Sequence, residues 1–253
     1  MEKILKNHDI FQIPSDGKIH LVVDEGAEVW VEEFCARAQA QRTISVDIKP
    51  GALLRWMSCS PSRDQKNFTL QESARLEYFH HVLGESEDRT EIILEGNESS
   101  AMSQTIFFGQ NSDTQNLRVD HVHRGKNTRS RMISRGAVKD SAYGHFFGNI
   151  RMEPGCSGAD ATLEEHNLLL SKGSKIEAVP GLEIQHNEVQ ASHSATLEKV
   201  DEEKLFYLQS RGLSFKEGLE LLVEGFFWDA LQKCPNLAFS ERIFKDILKC
   251  LSK

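Results

Sequence analysis

Leu117-Arg118-Val119-Asp120-His121-Val122-His123 is the stretch on which the fold turns. Apolar and polar side chains alternate along it, and it carries neither a helical stripe nor a proline. Runs of similar texture lie on both sides, Thr90–Leu94 and Ser103–Phe108 before it, Ala142–Met152 and Glu165–Leu170 after it. Further out, strands are expected at Lys18–Asp24, Glu28–Phe34, Thr43–Ile48, Ala52–Met57, Phe68–Leu70, Ala74–Val82, Leu182–Gln185 and Val189–Ala195. No three-turn amphipathic helix interrupts them, so residues 18–200 read as an all-β body. Asp16-Gly17 is the only hairpin-type dipeptide, and several turns are instead read as single glycines, such as Gly51, Gly96, Gly136 and Gly148. Strands recurring every 8–12 residues or so suit a sandwich, the commoner architecture, and equally a solenoid of stacked parallel strands.

The texture changes at Val200. Asp201 is an N-cap candidate with Glu202 and Glu203 in the first turn, where they complement the helix dipole, and Ser210-Arg211-Gly212 stops that helix. Ser214 caps a second helix from Phe215 to about Trp228, with Glu217 at the capping-box position. A third is expected to start at Ser240 and carries the stripe Ile243, Phe244, Ile247, Leu248 and Leu251. The expected organisation is a lead-in over 1–17, a β domain over 18–200 and a helical subdomain over 201–253. Phe226, Phe227 and Trp228 are consecutive, and three neighbours on a helix span about 200°, so at least one should leave the intramolecular core.

The 253 residues are 39% hydrophobic and 27% charged, with 14 Phe, which excludes intrinsic disorder. No apolar run approaches the roughly 18 residues that span a bilayer. The first residues lack a secretory h-region, and the five cysteines are scattered without a CxxC, so a reducing cytoplasm is expected. A net charge of −8 argues against nucleic acid as partner.

Chemistry-bearing motifs are sparse. There is no phosphate loop, GxGxxG, HExxH or GxSxG. His121 and His123 share a strand face at a chelating spacing, though two partly exposed structural histidines are the plainer expectation. His80 and His81 are adjacent and must point to opposite faces. His193 falls with Val189 and Ala191 on the nominally buried face of its strand. From Leu117 to Arg151 eight Arg and Lys face two Asp, without the interleaved aromatics that stack bases. That surplus reads as a solvated sheet face or a face for an acidic partner. Cys156, in Pro154-Gly155-Cys156-Ser157-Gly158, is expected to be accessible, and no four-cysteine array holds a permanent iron–sulfur cluster.

Six stretches taken together resemble the core domain of the SufB/SufD family, scaffold subunits of the SUF iron–sulfur assembly system. They are His123–Ser130, Ser134–Asp140, Phe147–Ile150, Pro180-Gly181-Leu182-Glu183-Ile184, Ala191-Ser192-His193-Ser194-Ala195-Thr196 and Leu205-Phe206-Tyr207-Leu208-Gln209-Ser210-Arg211-Gly212. The resemblance runs from about 100 to 230. It implies a right-handed parallel β-helix with a C-terminal helical subdomain. It also implies pairing near the C-terminal coils with a second SufB/SufD-like β-helix subunit, as heterodimer or homodimer. The helical subdomain would dock a SufC-like ABC-type ATPase, with Phe226, Phe227 and Trp228 as contacts, so the chain itself would bind no nucleotide. A transient cluster would form at the subunit interface.

The resemblance also assigns residues. The histidine of SufD-like chains is retained as His193, the candidate interface ligand. The cysteine of SufB-like chains is replaced by Glu165, beside His166, and both are expected near His193 from one coil earlier. The acidic residue that follows the histidine in SufB-like chains is Ser194 here, so the chain looks more SufD-like than SufB-like. It also lacks the long helical N-terminal region of many full-length members. The implied function is a non-enzymatic scaffold. Its rivals are a carbohydrate-processing β-helix enzyme, which needs aligned carboxylates not visible in the sequence, and a structural homodimer with no cluster role.

Overall fold

Short strands with left-handed corner residues between them stack on one another instead of folding back as hairpins. The computed structural model describes residues 2–6, 10–12, 17–34, 41–60 and 63–251. Its strands alternate between two eight-stranded sheets, each strand pairing in parallel with the one two places along the chain. One sheet holds β1 (Glu2–Leu5), β3 (Gly17–Val23), β5 (Gln41–Ile48), β7 (Arg63–Leu70), β9 (Ser86–Leu94), β11 (Thr114–His123), β13 (Tyr143–Met152) and β15 (Lys175–Ile184). The other holds β2 (Ile10–Gln12), β4 (Glu28–Phe34), β6 (Leu53–Ser60), β8 (Arg75–Leu83), β10 (Ser100–Gly109), β12 (Arg129–Val138), β14 (Asp160–Leu169) and β16 (Gln190–Lys199). This is the parallel β-solenoid that the resemblance implied, and not a sandwich.

The corners explain the missing hairpin signals. Ser73, Glu98 and Asn127 have φ of 55°, 59° and 55°, and Gly158 has 76°. The amide of each donates to a carbonyl of the next coil: Asn97, Lys126, Ser157 and Glu188 respectively. A left-handed residue here turns the chain from one sheet to the other, so no tight two-residue turn is needed.

Inward-facing side chains stack in columns. Val31, Trp56, Tyr78, Ser103, Met132, Leu163 and His193 occupy successive positions of one column. The N-terminal coils are filled by Ile, Val, Leu, Trp56 and Phe68. At their edge lies a buried ionic group: Arg42 pairs with Asp64 and Glu33, and Lys66 lies 3.0 Å from Asp64. Burial would raise the Asp64 carboxyl, but Lys66 and Arg42 hold it at about 2. The C-terminal coils are packed around Met132, Phe146, Ile150 and Leu163.

Three helices follow: α1 (Glu202–Ser210), α2 (Phe215–Leu231) and α3 (Leu237–Leu251). Asp201 caps α1, and Ser214 with Glu217 forms the expected capping box of α2. The third helix starts earlier than Ser240, because the Asn236 side chain accepts the Phe239 amide at 3.0 Å and serves as the cap. Val223, Phe227, Ala230, Phe239, Ile243 and Ile247 are buried together with Met57, Phe79, Ile106, Ala137 and Leu168 on the outer face of the even-numbered sheet. No helix among the described residues is long and apolar enough to cross a membrane.

Several expectations change. The expected lead-in contributes β1 and β2, strands too short to show an alternation. β12 was not foreseen as a strand, because its inward positions are Ser130, Met132, Ser134 and Gly136, which blurs the pattern. His121 and His123 are fully buried instead of partly exposed, since they point into the solenoid. His121 meets the Ser103 hydroxyl at 2.9 Å, and His123 lies between the Thr128 and Ser130 hydroxyls, 2.8 Å from each. Cys156 is buried too, because its corner turns it into the core, and burial pushes its thiol pKa up.

Candidate functional site

The column that runs through the solenoid ends at His193. Its strand is the last of its sheet among the described residues, with no further coil over it there, and most of β16 is exposed although half of its side chains face the core direction. His193 stands beside Leu163, a core residue, yet is itself exposed. The alternation that assigned it an inward face is therefore correct, and the missing next coil leaves it open. Ala191, Ser192, Ser194 and Ala195 keep this surface low. Leu197 and Ile184, at 55% and 50% exposure, are hydrophobic side chains at the same end. Between β15 and β16 a cleft of about 470 Å3 is lined by Ile176, Ala178, Ala195 and Leu197.

Glu165 lies one strand below, inward-facing, in register with Ala195. It is 0% exposed, and neither carboxylate oxygen has a hydrogen-bond partner among the described residues. Burial raises its pKa to about 7. Gly148, on the opposite sheet, makes the room: a Cβ there would sit 3.0 Å from Glu165 Oε1, Leu163 Cδ1 and Met132 Sδ. Asn167 and Ser134, buried on the same inward face, also carry polar atoms without partners among the described residues. Strand periodicity did not single them out, although β14 has Glu165 and Asn167 at i, i+2 on its inward face.

His166 does not join them. Adjacent residues of a strand point to opposite faces, and its ring turns outward, where Nδ1 lies 3.0 Å from the Thr196 hydroxyl. Burial and the Arg135 guanidinium lower its pKa. So His193 and Glu165 share a face and His166 is separated from both. No three His, Cys, Asp or Glu side chains group as a metal set among the described residues.

The aromatic run on α2 divides. Phe227 is fully buried, Phe226 is half-buried 5.0 Å from it, and Trp228 is 50% exposed. Arg135 fixes the buried side of this helix, donating to the Phe226 carbonyl at 2.8 Å and pairing with Asp229 at 3.0 Å. Phe206, Tyr207, Phe215 and Leu237 extend the exposed apolar surface of the helices, at 72%, 55%, 59% and 70%. The basic surplus between 117 and 151 is largely matched by acids on neighbouring strands, for instance Arg124 with Glu95 and Glu153, and Arg131 with Glu164. Aligned carboxylates do exist on the outer face of the odd-numbered sheet, where Glu91 and Asp120 are register neighbours. Arg118 forks onto Asp120, and Arg151 approaches Glu91 at 3.6 Å.

A two-sheet parallel solenoid with an unroofed last coil and a helical layer along one face defines the class, a capped-on-one-side β-helix protein. The chain belongs to the family described as SUF system FeS cluster assembly, SufBD core domain, whose model matches residues 12–226. It is 33% identical over 133 residues to the iron–sulfur cluster assembly protein SufD of Bacillus subtilis, covering 53% of this chain and 30% of that protein. To the SufB protein of the same organism it is 25% identical over 229 residues, covering 85% of this chain and 49% of the relative. The SufBD family protein ycf24 of Galdieria sulphuraria is 28% identical over 143 residues, covering 56% of this chain and 65% of that protein. The chain thus spans less than half the length of the two Bacillus relatives.

Proposed function

We propose that this chain is a non-enzymatic scaffold subunit for iron–sulfur cluster assembly, SufD-like in its site, whose open end pairs with a second SufB/SufD-like β-helix subunit. The observation that carries the reading is His193, an inward-column residue left uncovered at the last strand, with buried Glu165 one strand beneath it. A partner laid over this end would roof the column and supply the remaining ligands. Neutral imidazole and carboxylate are both competent iron ligands, and few ligands per subunit suit a cluster that is cargo and must leave. His166 plays no part in this arrangement. The exposed apolar side chains of α1 and α2, Trp228 among them, would dock a SufC-like ABC ATPase in the cytoplasm, so the chain needs no phosphate loop of its own.

The test is co-purification with a SufB-like and a SufC-like partner, followed by anaerobic reconstitution. His193→Ala should leave the complex intact and lower the iron and sulfide retained. Absence of a stable complex with the wild-type chain, or an unchanged cluster yield in the variant, overturns the reading. ATPase docking is tested with Trp228→Glu, because removing 201–253 would expose Met57, Phe79, Ile106 and Leu168 and confound binding with folding.

A further inference from the structure

The outer face of the odd-numbered sheet, remote from the helices, carries a cleft of about 470 Å3 across the first residues of β5, β7, β9, β11 and β13. Register sets Arg89 directly beside Arg118 on its rim, with Arg63 one strand further along. Like charges side by side on one sheet face repel. Arg118 is neutralised by its fork onto Asp120, at 2.6 and 2.9 Å, and lies 4.3 Å over the Phe147 ring. Arg89 is exposed and makes no hydrogen bond or ion pair among the described residues.

The acids nearby do not compensate it. Asp64 and Asp88 line the cleft but face the interior. Asp64 is held by Arg42 and Lys66, and Asp88 accepts the Asp64 amide at 2.8 Å and lies 3.5 Å from His80. Among the described residues that line the cleft, Glu87 is the outward-facing acid. Gln65 and Asn116 add neutral donors beside the arginines.

We propose that this cleft binds a small molecule bearing oxyanion groups, a phosphate or a polycarboxylate, on the guanidinium of Arg89, with Gln65 and Asn116 as neutral donors beside it. The planar guanidinium matches both kinds of oxyanion through paired N–H donors. The volume lies within the roughly 300–1,000 Å3 usual for small-ligand sites. The site is independent of the open end and of the helical layer, so neither the scaffold reading nor its failure decides it.

Isothermal titration of the whole chain with inorganic phosphate and with citrate, at low ionic strength, tests it. At least one probe should bind saturably at one site, and which one does distinguishes a phosphate from a polycarboxylate ligand. Arg89→Glu, an exposed substitution that should leave the melting temperature unchanged without ligand, should weaken that binding at least about tenfold. Arg211→Glu, on the helical layer, should leave it unchanged. No saturable binding of either probe, equal affinity in Arg89→Glu, or equal weakening by Arg211→Glu overturns the proposal.

Discussion

His81→Phe should make this protein more resistant to acid. The His81 ring is 0% exposed, packs edge-on to Phe239 at 5.0 Å, and neither nitrogen has a hydrogen-bond partner among the described residues. Burial depresses its pKa to about 3, as it does for His80 and His121, while His123 is held at about 4. A histidine whose folded pKa lies below the unfolded 6.5 or so contributes stability that is present above that value and is lost as the pH falls toward the folded pKa. Between pH 7.5 and 5.0 each of the four gives up about 2 kcal/mol, about 8 kcal/mol together. Glu165 works the other way. Its folded pKa is raised, so protonation on acidification returns about 2 kcal/mol over the same interval. The net loss of about 6 kcal/mol is a large part of the roughly 5–15 kcal/mol that typically holds a domain folded. At about 2–4 °C per kcal/mol for a chain of this size, the melting temperature should fall by roughly 12–24 °C. Phenylalanine keeps the ring contact and removes the titrating group, so the variant should recover about 2 kcal/mol of the acid loss. Urea denaturation at pH 7.5 and 5.0, on wild type and variant, measures it. A wild-type stability that changes by less than about 1 kcal/mol, or a variant with the same pH dependence as wild type, would refute this account of the buried histidines.

Glu165→Gln should flatten the alkaline side of the same profile, removing a loss of about 2 kcal/mol between pH 5.5 and 8.5; denaturation at the two pH values checks it. Gly136→Ala should be severely destabilising, by about 3 kcal/mol or more, because its Cβ would lie 1.9 Å from Phe107 Cζ in the packed interior; thermal melts read this directly. Ser214→Ala should cost about 1 kcal/mol by removing the α2 capping box, measured by chemical denaturation. Trp228→Glu should abolish ATPase co-purification while shifting the melting temperature by no more than a degree or two, since the ring is half exposed.

How much of the fold and the site is legible in the sequence depends on which physical signal each residue carries. Local alternation located most strands, and the Asp201 and Ser214 caps located two helix starts, because both signals are contained within a few residues. β12 was missed because solenoid interiors accept serine and glycine at inward positions, so that polarity no longer marks the outside. Parallel stacking could not be read from periodicity at all; it lies in corner residues such as Glu98 and Asn127, whose positive φ has no strong local signature. The His193 alternation was sound, but its exposure depends on which strand is last in the sheet. Glu165 and His166 were grouped by proximity in sequence, and the strand pleat is what divides them.

The helical layer spans strands that are far apart in the chain. Met57, Phe79, Ile106, Ala137 and Leu168 come from five successive strands of one sheet, and all lie in the cluster that α2 and α3 bury. Asn236 reaches Glu32 at 2.9 Å, and Gln104 donates to the Ala230 carbonyl at 2.8 Å. In a stack whose coils touch only their neighbours, unfolding can advance one repeat at a time from either end. A splint fastened across five repeats couples their fates. Were that splint released, the coils would be free to open one after another.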